Sequence, residues 1–249
     1  MNNKGKVFVT LTSLILTGAI SAGCTYFTEA YMTEPQADML KDVDTSASDE
    51  RDQAASLIPK ALMEEIKSKY AEATKVNSDI IGWIYIPNSN VDYPICSGNN
   101  NYYLNYSWDK KKSKEGSIFL DEAQYGFSKL SMIHGHNMKN KTMFSTLKNY
   151  KDETFFKKNC VYIYTGDTFK VFRPMGWLRV GENTTFDLDV PDGPTAKAYV
   201  EDLCVNSAYG EPPVPVTEDD VIILNTCVSD GSGDHYILVG QEITGNGGE

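Results

Sequence analysis

Histidine and arginine are the scarcest ionisable side chains in this chain of 249 residues. The six are His134, His136, His235, Arg51, Arg173 and Arg179. So few imidazoles leave few places where histidine can act as an acid, a base or a metal ligand. Cations are also outnumbered, since 23 Lys and Arg against 34 Asp and Glu give a formal net charge of −11. Because phosphates would be repelled by this charge, the composition argues against a nucleic-acid partner.

Long uncharged apolar runs are missing except near the N-terminus. Residues 7–23 carry no charge and follow the basic stretch MNNKGK, which is the pattern of an exported chain. A run of 17 residues is at the short limit for crossing a bilayer. We expect an uncleaved membrane anchor within residues 1–30, with the remainder outside the cell membrane. A cleaved signal peptide and a lipoprotein site at Cys24 are the alternatives, and all three export the chain.

Closely spaced cysteines are absent as well. The five are Cys24, Cys96, Cys160, Cys204 and Cys227. An exported protein can hold disulfides, but wide spacing and the apolar neighbours of the middle three favour buried free thiols that act as small hydrophobic residues. Cys227 differs, because it ends an apolar run and is followed by a loop of Gly, Ser and Asp.

The texture of the chain changes near residue 79. Residues 31–78 read as an acidic stalk followed by an amphipathic helix at 57–77. Residues 79–249 form the predicted main domain, with short runs rich in Ile, Val, Tyr, Phe and Trp separated by turns. The predicted strands are DIIGWIYIP, GSIFLD, LSMIHGH, CVYIYT, FKVF, GWLRV, VIILNTC and HYILVG. Two helical stretches interrupt this domain, near 143–150 and 195–207, so the fold class is mainly β, a closed or nearly closed barrel with peripheral helices.

Two of the three histidines stand together in SMIHGHNM, at the end of a predicted strand. His134 and His136 are two positions apart, so in a strand they would face the same side. Paired imidazoles suit zinc, but no carboxylate-rich ligand cluster accompanies them. We therefore expect no metal and no cofactor.

Cys227 and His136 are the more promising pair, since each follows an apolar strand and precedes turn-forming residues. A thiol with an ordinary pKa is only slightly ionised at neutral pH, so a nearby imidazole is needed to take its proton. The residues alone leave two alternatives open. VIILNTC is equally compatible with a buried structural cysteine, and His136 with an ordinary loop histidine.

Several segments together resemble the class B sortases, exported cysteine transpeptidases of Gram-positive bacteria. The family signature TLxTC is matched by ILNTC at 223–227, with Ile223 in place of the first Thr. The family's histidine stands in a GHN context, matched by GHNM at 135–138. Further similar blocks are GWIYIPNSNVDYPI, NNYYLNYSWDKKKSKEGSIFLD and MFSTLKNYKDETFFKKN. The resemblance covers about residues 80–240, and histidine precedes cysteine in the family's order.

This resemblance implies an eight-stranded sortase-type barrel in which Cys227 is the nucleophile and His136 the general acid and base. It implies cleavage of an NPxT-type sorting signal of a secreted protein through a thioacyl-enzyme. The acyl group then passes to an amine of peptidoglycan or of its lipid-linked precursor. By similarity, the substrate-binding residues are Asn100, Leu104, Asn225 and Thr226.

One position departs from the family pattern. Sortases carry an arginine on the strand after the cysteine loop, where this chain has His235. The expectation is that His235 stabilises the oxyanion as a third catalytic residue, with greater activity at mildly acidic pH. The alternatives are a catalytically impaired peptide-binding protein and a thiol peptidase that hydrolyses the same signal.

Overall fold

The barrel is closed by eight strands. The computed structural model describes residues 58–188, 194–205, 207 and 220–243. The strands are β1 (Ile80–Tyr85), β2 (Asp92–Ser97), β3 (Ile118–Leu120), β4 (Leu130–His134), β5 (Val161–Tyr164), β6 (Phe169–Val180), β7 (Val221–Cys227) and β8 (His235–Glu242). They follow one another around the barrel in the order β1-β2-β3-β4-β7-β8-β6-β5. The β2–β3 and β4–β7 pairs are parallel and the other pairs are antiparallel. The predicted barrel is confirmed.

Helices lie around this barrel. They are α1 (Lys60–Val76), α2 (Asn100–Tyr103), a 3₁₀ helix (Phe144–Lys151), α3 (Glu153–Lys158) and α4 (Pro194–Val205). The amphipathic helix expected at 57–77 is α1, whose buried Ile66 and Ala73 pack on a cluster containing Ile80 and Trp83. The 3₁₀ helix and α4 occupy the two other regions where helices were predicted.

Side-chain alternation gives the strands around β7 an inner and an outer face. Ile222 and Leu224 point into the barrel core. Ile223 points outward and joins a second cluster under α4, which contributes Val200 and Cys204. Past this cluster, towards the C-terminal end of β7, the outer face becomes polar. This change leaves a polar surface outside the barrel core, where the ends of β4 and β7 and the start of β8 lie side by side.

The strand predictions differ from the structure at two places, and both contain a proline. FKVF and GWLRV form one strand, β6, because the irregularity in register between Pro174 and Gly176 accommodates the missing N–H of the proline. DYPICS was not predicted as a strand but forms β2. Pro94 fits there because β3 pairs with β2 only from Ile95 onward, so its ring faces a local edge.

The cysteine prediction is confirmed for three of the five. Cys96, Cys160 and Cys204 are buried free thiols, whereas Cys227 is exposed. The predicted anchor at 1–30, Cys24 and the acidic stalk lie outside the described residues. Among the residues that are described, no helix combines the length and the apolar character needed to cross a membrane.

Candidate active site

Three neighbouring strand ends build the site. β4 and β7 run parallel with His134 opposite Asn225. β7 and β8 run antiparallel with Cys227 opposite His235. β7 therefore lies in the centre, with the strand that leads to His136 on one side and the strand that begins with His235 on the other.

The segment after β4 continues along β7 to its end. The Gly135 N–H donates to the Asn225 carbonyl at 3.1 Å, and the Thr226 hydroxyl donates to the Gly135 carbonyl at 2.7 Å. One residue beyond His136, the Asn137 side-chain amide donates to the Cys227 carbonyl at 2.8 Å. These bonds bring the predicted histidine and the predicted nucleophile to the same end of the sheet.

Gly135 is required by space. A Cβ atom at this position would lie 2.4 Å from Ile118 Cδ1 and 2.8 Å from Phe144 Cδ2. Real Cβ atoms essentially never approach other atoms this closely, so a side chain at this position would force Ile118 or Phe144 to shift. The glycine of the GHN motif thus lets the histidine segment follow β7.

His136 is held by its hydrogen bond to the end of α2. Its Nε2 lies 2.8 Å from the carbonyl oxygen of Leu104, the C-cap residue of that helix. Since a carbonyl only accepts, Nε2 carries the proton and the neutral ring keeps its lone pair on Nδ1. The ring is therefore oriented and retains a basic nitrogen.

Cys227 is the only exposed cysteine in the described part of the chain. Partial desolvation raises the pKa of its thiol above the usual value. The resting sulfur is consequently protonated at neutral pH, and nucleophilic attack requires a base that removes the proton.

On the β8 side, a chain of four side chains runs across the outer face. His235 Nδ1 lies 2.9 Å from Asn225 Oδ1, and Asn225 Nδ2 lies 3.1 Å from His134 Nδ1. At the far end, His134 Nε2 lies 2.7 Å from Asp121 Oδ2. We refer to Asp121, His134, Asn225 and His235 as the polar chain.

Electrostatics follow from this arrangement. Burial, and secondly the charge of His134, lowers the pKa of His235 below its usual value, so that this imidazole is neutral near pH 7. The hydrogen bond from His134 is the largest cause that lowers the pKa of Asp121, to about 2. Asp121 is therefore a carboxylate throughout the physiological range.

Asn100 and Leu104, two of the predicted substrate-binding residues, lie on or beside α2. The Asn100 amide donates to Asp121 at 3.3 Å, and Leu104 contacts His136 through its carbonyl. Thr226 is different, since it is only 2% exposed and its hydroxyl is used by Gly135. A substrate-binding role does not fit this burial, and the residue instead ties β7 to the histidine segment.

Neither arginine in the described ranges takes the place of the one missing at His235. Arg179 approaches the β7–β8 loop, where it donates to Asp234 and Asp230, both at 2.7 Å. Its Cα pairs with Tyr236, so by alternation it lies on the sheet face opposite to His235. Arg173 lies at the other end of β8, beside Gln241. Arg179 therefore shapes the loop before His235 rather than facing the thiol.

Sequence reasoning missed Asp121 and the use made of His134. The available signal was an Asp at the end of GSIFLD, an apolar run like the one that ends in His134. A cavity of about 810 Å³ opens beside these side chains, between the segment after β3 and the segment after β6. Its walls include Asp121, His134, Asn225, His235, Glu182 and Phe186. Among the described residues, no group of three or more His, Cys, Asp and Glu is arranged to hold a metal ion.

Comparisons with known proteins agree with this geometry. Residues 84–243 match the family model described as a sortase domain. The chain is 29% identical over 174 residues to the protein named Sortase B of Listeria monocytogenes, covering 66% of this chain and 68% of the relative. Among solved structures, sortase B of Clostridium perfringens superimposes with a TM-score of 0.62 at 25% identity, over 69% of this chain and 98% of that one. Sortase B from Listeria monocytogenes gives 0.60 at 26% identity over the same shares.

Proposed function

This chain belongs to the sortase family as a class B sortase, a cysteine transpeptidase for sorting signals, and we propose that its signal is of the NPxT type and that it joins secreted proteins to a cell-wall amine. The sortase family implies a protein substrate that bears the signal and an amine acceptor. The proposal adds the identity of the motif, the peptidoglycan or lipid-linked nature of the acceptor and the role of each residue.

In the proposed reaction, Cys227 attacks the backbone carbonyl carbon of the Thr in the signal, at the peptide bond that follows this residue. His136 takes the thiol proton through Nδ1 and later gives it to the amine that leaves when the peptide bond breaks. The product is a thioester between Cys227 and the N-terminal part of the substrate. An incoming amine attacks this thioester, the thiolate leaves and recovers a proton, and a new amide bond remains.

One observation carries this assignment: the strand ends of β4 and β7 are held together by the bonds of Gly135 and Asn137 to β7. The exposed thiol and the oriented imidazole are therefore held at the same end of the sheet. The raised pKa of Cys227 supports the need for a base, since the thiol does not ionise by itself at neutral pH.

His235 is the proposed partner of the oxyanion. It faces Cys227 across the β7–β8 pair, where opposing Cβ atoms are about 4.5–5.5 Å apart. An oxyanion donor typically contributes roughly 10²–10³ in turnover. Unlike an arginine, the imidazole donates from the required nitrogen only in the right protonation state, which is the basis for the expected preference for mildly acidic pH.

The N-terminal segment 7–23 supports a membrane location. We propose that it anchors the chain with a single pass, placing the catalytic domain at the outer surface where secreted substrates and wall precursors meet. The motif that supports this is the uncharged run preceded by two lysines.

A mass-spectrometric experiment tests the reaction. The full-length chain is incubated with an NPxT-type peptide, with and without a primary-amine acceptor peptide. We expect a thioester adduct on Cys227, lost in Cys227→Ala and retained in Cys204→Ala, which removes a buried thiol. The amine should convert the adduct into the transpeptidation product. Peptide binding without an adduct would favour the non-catalytic binding protein, and hydrolysis that ignores the amine would favour the thiol peptidase.

A further inference from the structure

The polar chain connects His235 through hydrogen bonds to Asn225, His134 and Asp121. His235 uses only Nδ1 in it, bonded to Asn225, so Nε2 is the ring nitrogen left for the thiol or for a substrate oxygen. Whether Nε2 is a donor or an acceptor in the neutral ring depends on which nitrogen holds the single proton. That choice is made by Asn225, because its amide is the partner of Nδ1.

In the arrangement of the structure, Asn225 presents its oxygen to His235 and its NH₂ group to His134. The oxygen only accepts, so His235 must be protonated on Nδ1 and its Nε2 holds a lone pair. The NH₂ group only donates, so His134 Nδ1 is unprotonated. His134 then has its single proton on Nε2, directed at Asp121. In this state neutral His235 cannot donate to an oxyanion.

Proton uptake by His134 reverses the donor and acceptor roles along the polar chain. A proton on His134 Nδ1 needs an acceptor, which Asn225 supplies when its amide rotates by 180° and exchanges oxygen and nitrogen. The NH₂ group then faces His235 Nδ1, which must be unprotonated, so the single proton of this neutral ring resides on Nε2. His134 gains one proton from solvent. His235 loses a proton at Nδ1 and gains one at Nε2, so the charge of its ring does not change.

We propose that Asp121, His134 and Asn225 are positioning residues that set the tautomer of His235, and that protonation of His134 turns neutral His235 into an N–H donor at the nucleophile. The inference deepens the proposed reaction and rests on it. It replaces the permanent charge of an arginine by a donor that is present only when a second histidine is charged.

The surroundings of the two rings fit these roles, in which His134 takes up the proton and His235 stays neutral. His134 faces the carboxylate of Asp121 and stacks on Phe119, with ring centroids 5.3 Å apart. This carboxylate compensates a charged His134. His235 has Asp234 and Glu182 as its acidic neighbours, but burial and the charge of His134 outweigh them and lower its pKa. Of the two rings, His134 is the one directly paired with an anion.

Histidine tautomers are measured directly by long-range ¹H–¹⁵N spectra of the ¹⁵N-labelled full-length chain between pH 5 and 8.5. With only three histidines, assignment needs no more than one His→Gln variant of each. We expect His235 to pass from the Nδ1–H to the Nε2–H form on acidification, with the midpoint of His134. In Asn225→Asp the carboxylate accepts from both rings, so His235 should remain protonated on Nδ1 at every pH. A tautomer of wild-type His235 that does not change with pH would overturn the proposal.

The rate of acyl-enzyme formation gives a second, independent readout. In the wild type it should fall by about tenfold per pH unit above the midpoint of His134, until the donor's roughly 10²–10³-fold contribution is lost. His134→Gln should remove this alkaline limb, because no proton at position 134 can then reverse the hydrogen bonds of Asn225. Equal slowing at all pH values would indicate a structural role only. If no variant forms an adduct the proposed reaction fails, while the spectra still decide the tautomer.

Discussion

Cys227 and His235 are directly opposite each other in the antiparallel pair of β7 and β8. The same register pairs Asn225 with Ile237, so Cys227, Asn225 and His235 share the outer face of the sheet. Because Asn225 holds Nδ1 of the imidazole, His235 is oriented by the strand that carries Cys227, the proposed nucleophile. The position where sortases carry an arginine is thus filled by an ordered but mostly neutral side chain.

Arginine at this position should raise activity where histidine is deprotonated. We expect His235→Arg to accelerate acyl-enzyme formation by up to about 10²-fold above pH 7 and to flatten the pH profile, because guanidinium is always charged. The measurement is single-turnover adduct formation from pH 5.5 to 8.5. Ser229→Arg is the matched control, since it adds the same charge at an exposed loop residue. An unchanged rate in an otherwise active enzyme would show that the absence of an arginine at this position does not limit acyl-enzyme formation.

Thiol reactivity should separate Cys227 from the buried cysteines. Burial raises the pKa of Cys96 and of Cys204 to about 12, whereas Cys227 is exposed. In a Cys24→Ser chain, iodoacetamide at pH 8 should alkylate Cys227 alone, and faster at pH 9 because its own pKa is raised. Peptide mapping identifies the labelled site, with the urea-denatured chain as the reference in which all thiols react. Rapid labelling of Cys96 or Cys204 in the folded state would contradict the assigned burial.

A side chain at the glycine before His136 should destabilise the fold. A methyl group at Gly135 overlaps Ile118 and Phe144, so we expect Gly135→Ala to reduce the free energy of unfolding by about 1–3 kcal/mol. It should also slow acylation, because the displaced segment carries His136. Gly126→Ala is the control, since no atom lies within 4 Å of its added Cβ. Urea unfolding and adduct formation measure the two effects, and equal behaviour of both variants would refute the close approach.

Asp121 should contribute stability that disappears in acid. The pKa of its carboxyl is about 2 in the folded protein against an ordinary value of 3.8, so folding is favoured by the ionised form. This contribution, about 2 kcal/mol, is complete above pH 3.8 and is lost as pH falls towards 2. Asp121→Asn should therefore be less stable than wild type at pH 7, with the difference shrinking below pH 4. The exposed Asp202→Asn serves as control in urea unfolding at each pH. A deficit that persists unchanged at pH 2.5 would show that the cost is not the lost charge.

Much of the architecture was accessible from local patterns. Alternating and continuous apolar runs located seven of the eight strands, and the apolar spacing in α1 located that helix within a few residues. The errors at Pro94 and Pro174 arose because a proline lowers the strand propensity of a segment. Its tolerance depends on whether a neighbouring strand pairs at that point. That information is not local to the segment.

The candidate site divides in the same way. GHNM and ILNTC predicted His136 and Cys227 as the base and the nucleophile, because few residues of either type exist, and the structure places both at neighbouring strand ends. Asp121 ends an apolar run as His134 does, but only the pairing of β3 with β4 brings the two side chains together, and nothing near Thr226 indicated that its hydroxyl would donate to Gly135. Burial and hydrogen-bond partners decide these roles, and both are consequences of packing.

The sequence alone determines which reactive groups this protein has: a thiol at the end of a predicted strand, three imidazoles, and no arginine after the cysteine loop. It also determines the segments whose apolar pattern makes them strands. Which of these groups meet depends on the folded barrel. His134 and Asn225 are 91 residues apart in the chain and become hydrogen-bonded neighbours only because barrel closure places β4 beside β7. Local propensity acts over a few residues, whereas strand order and register are selected by burial of the whole core, and the polar chain beside Cys227 exists only in that register.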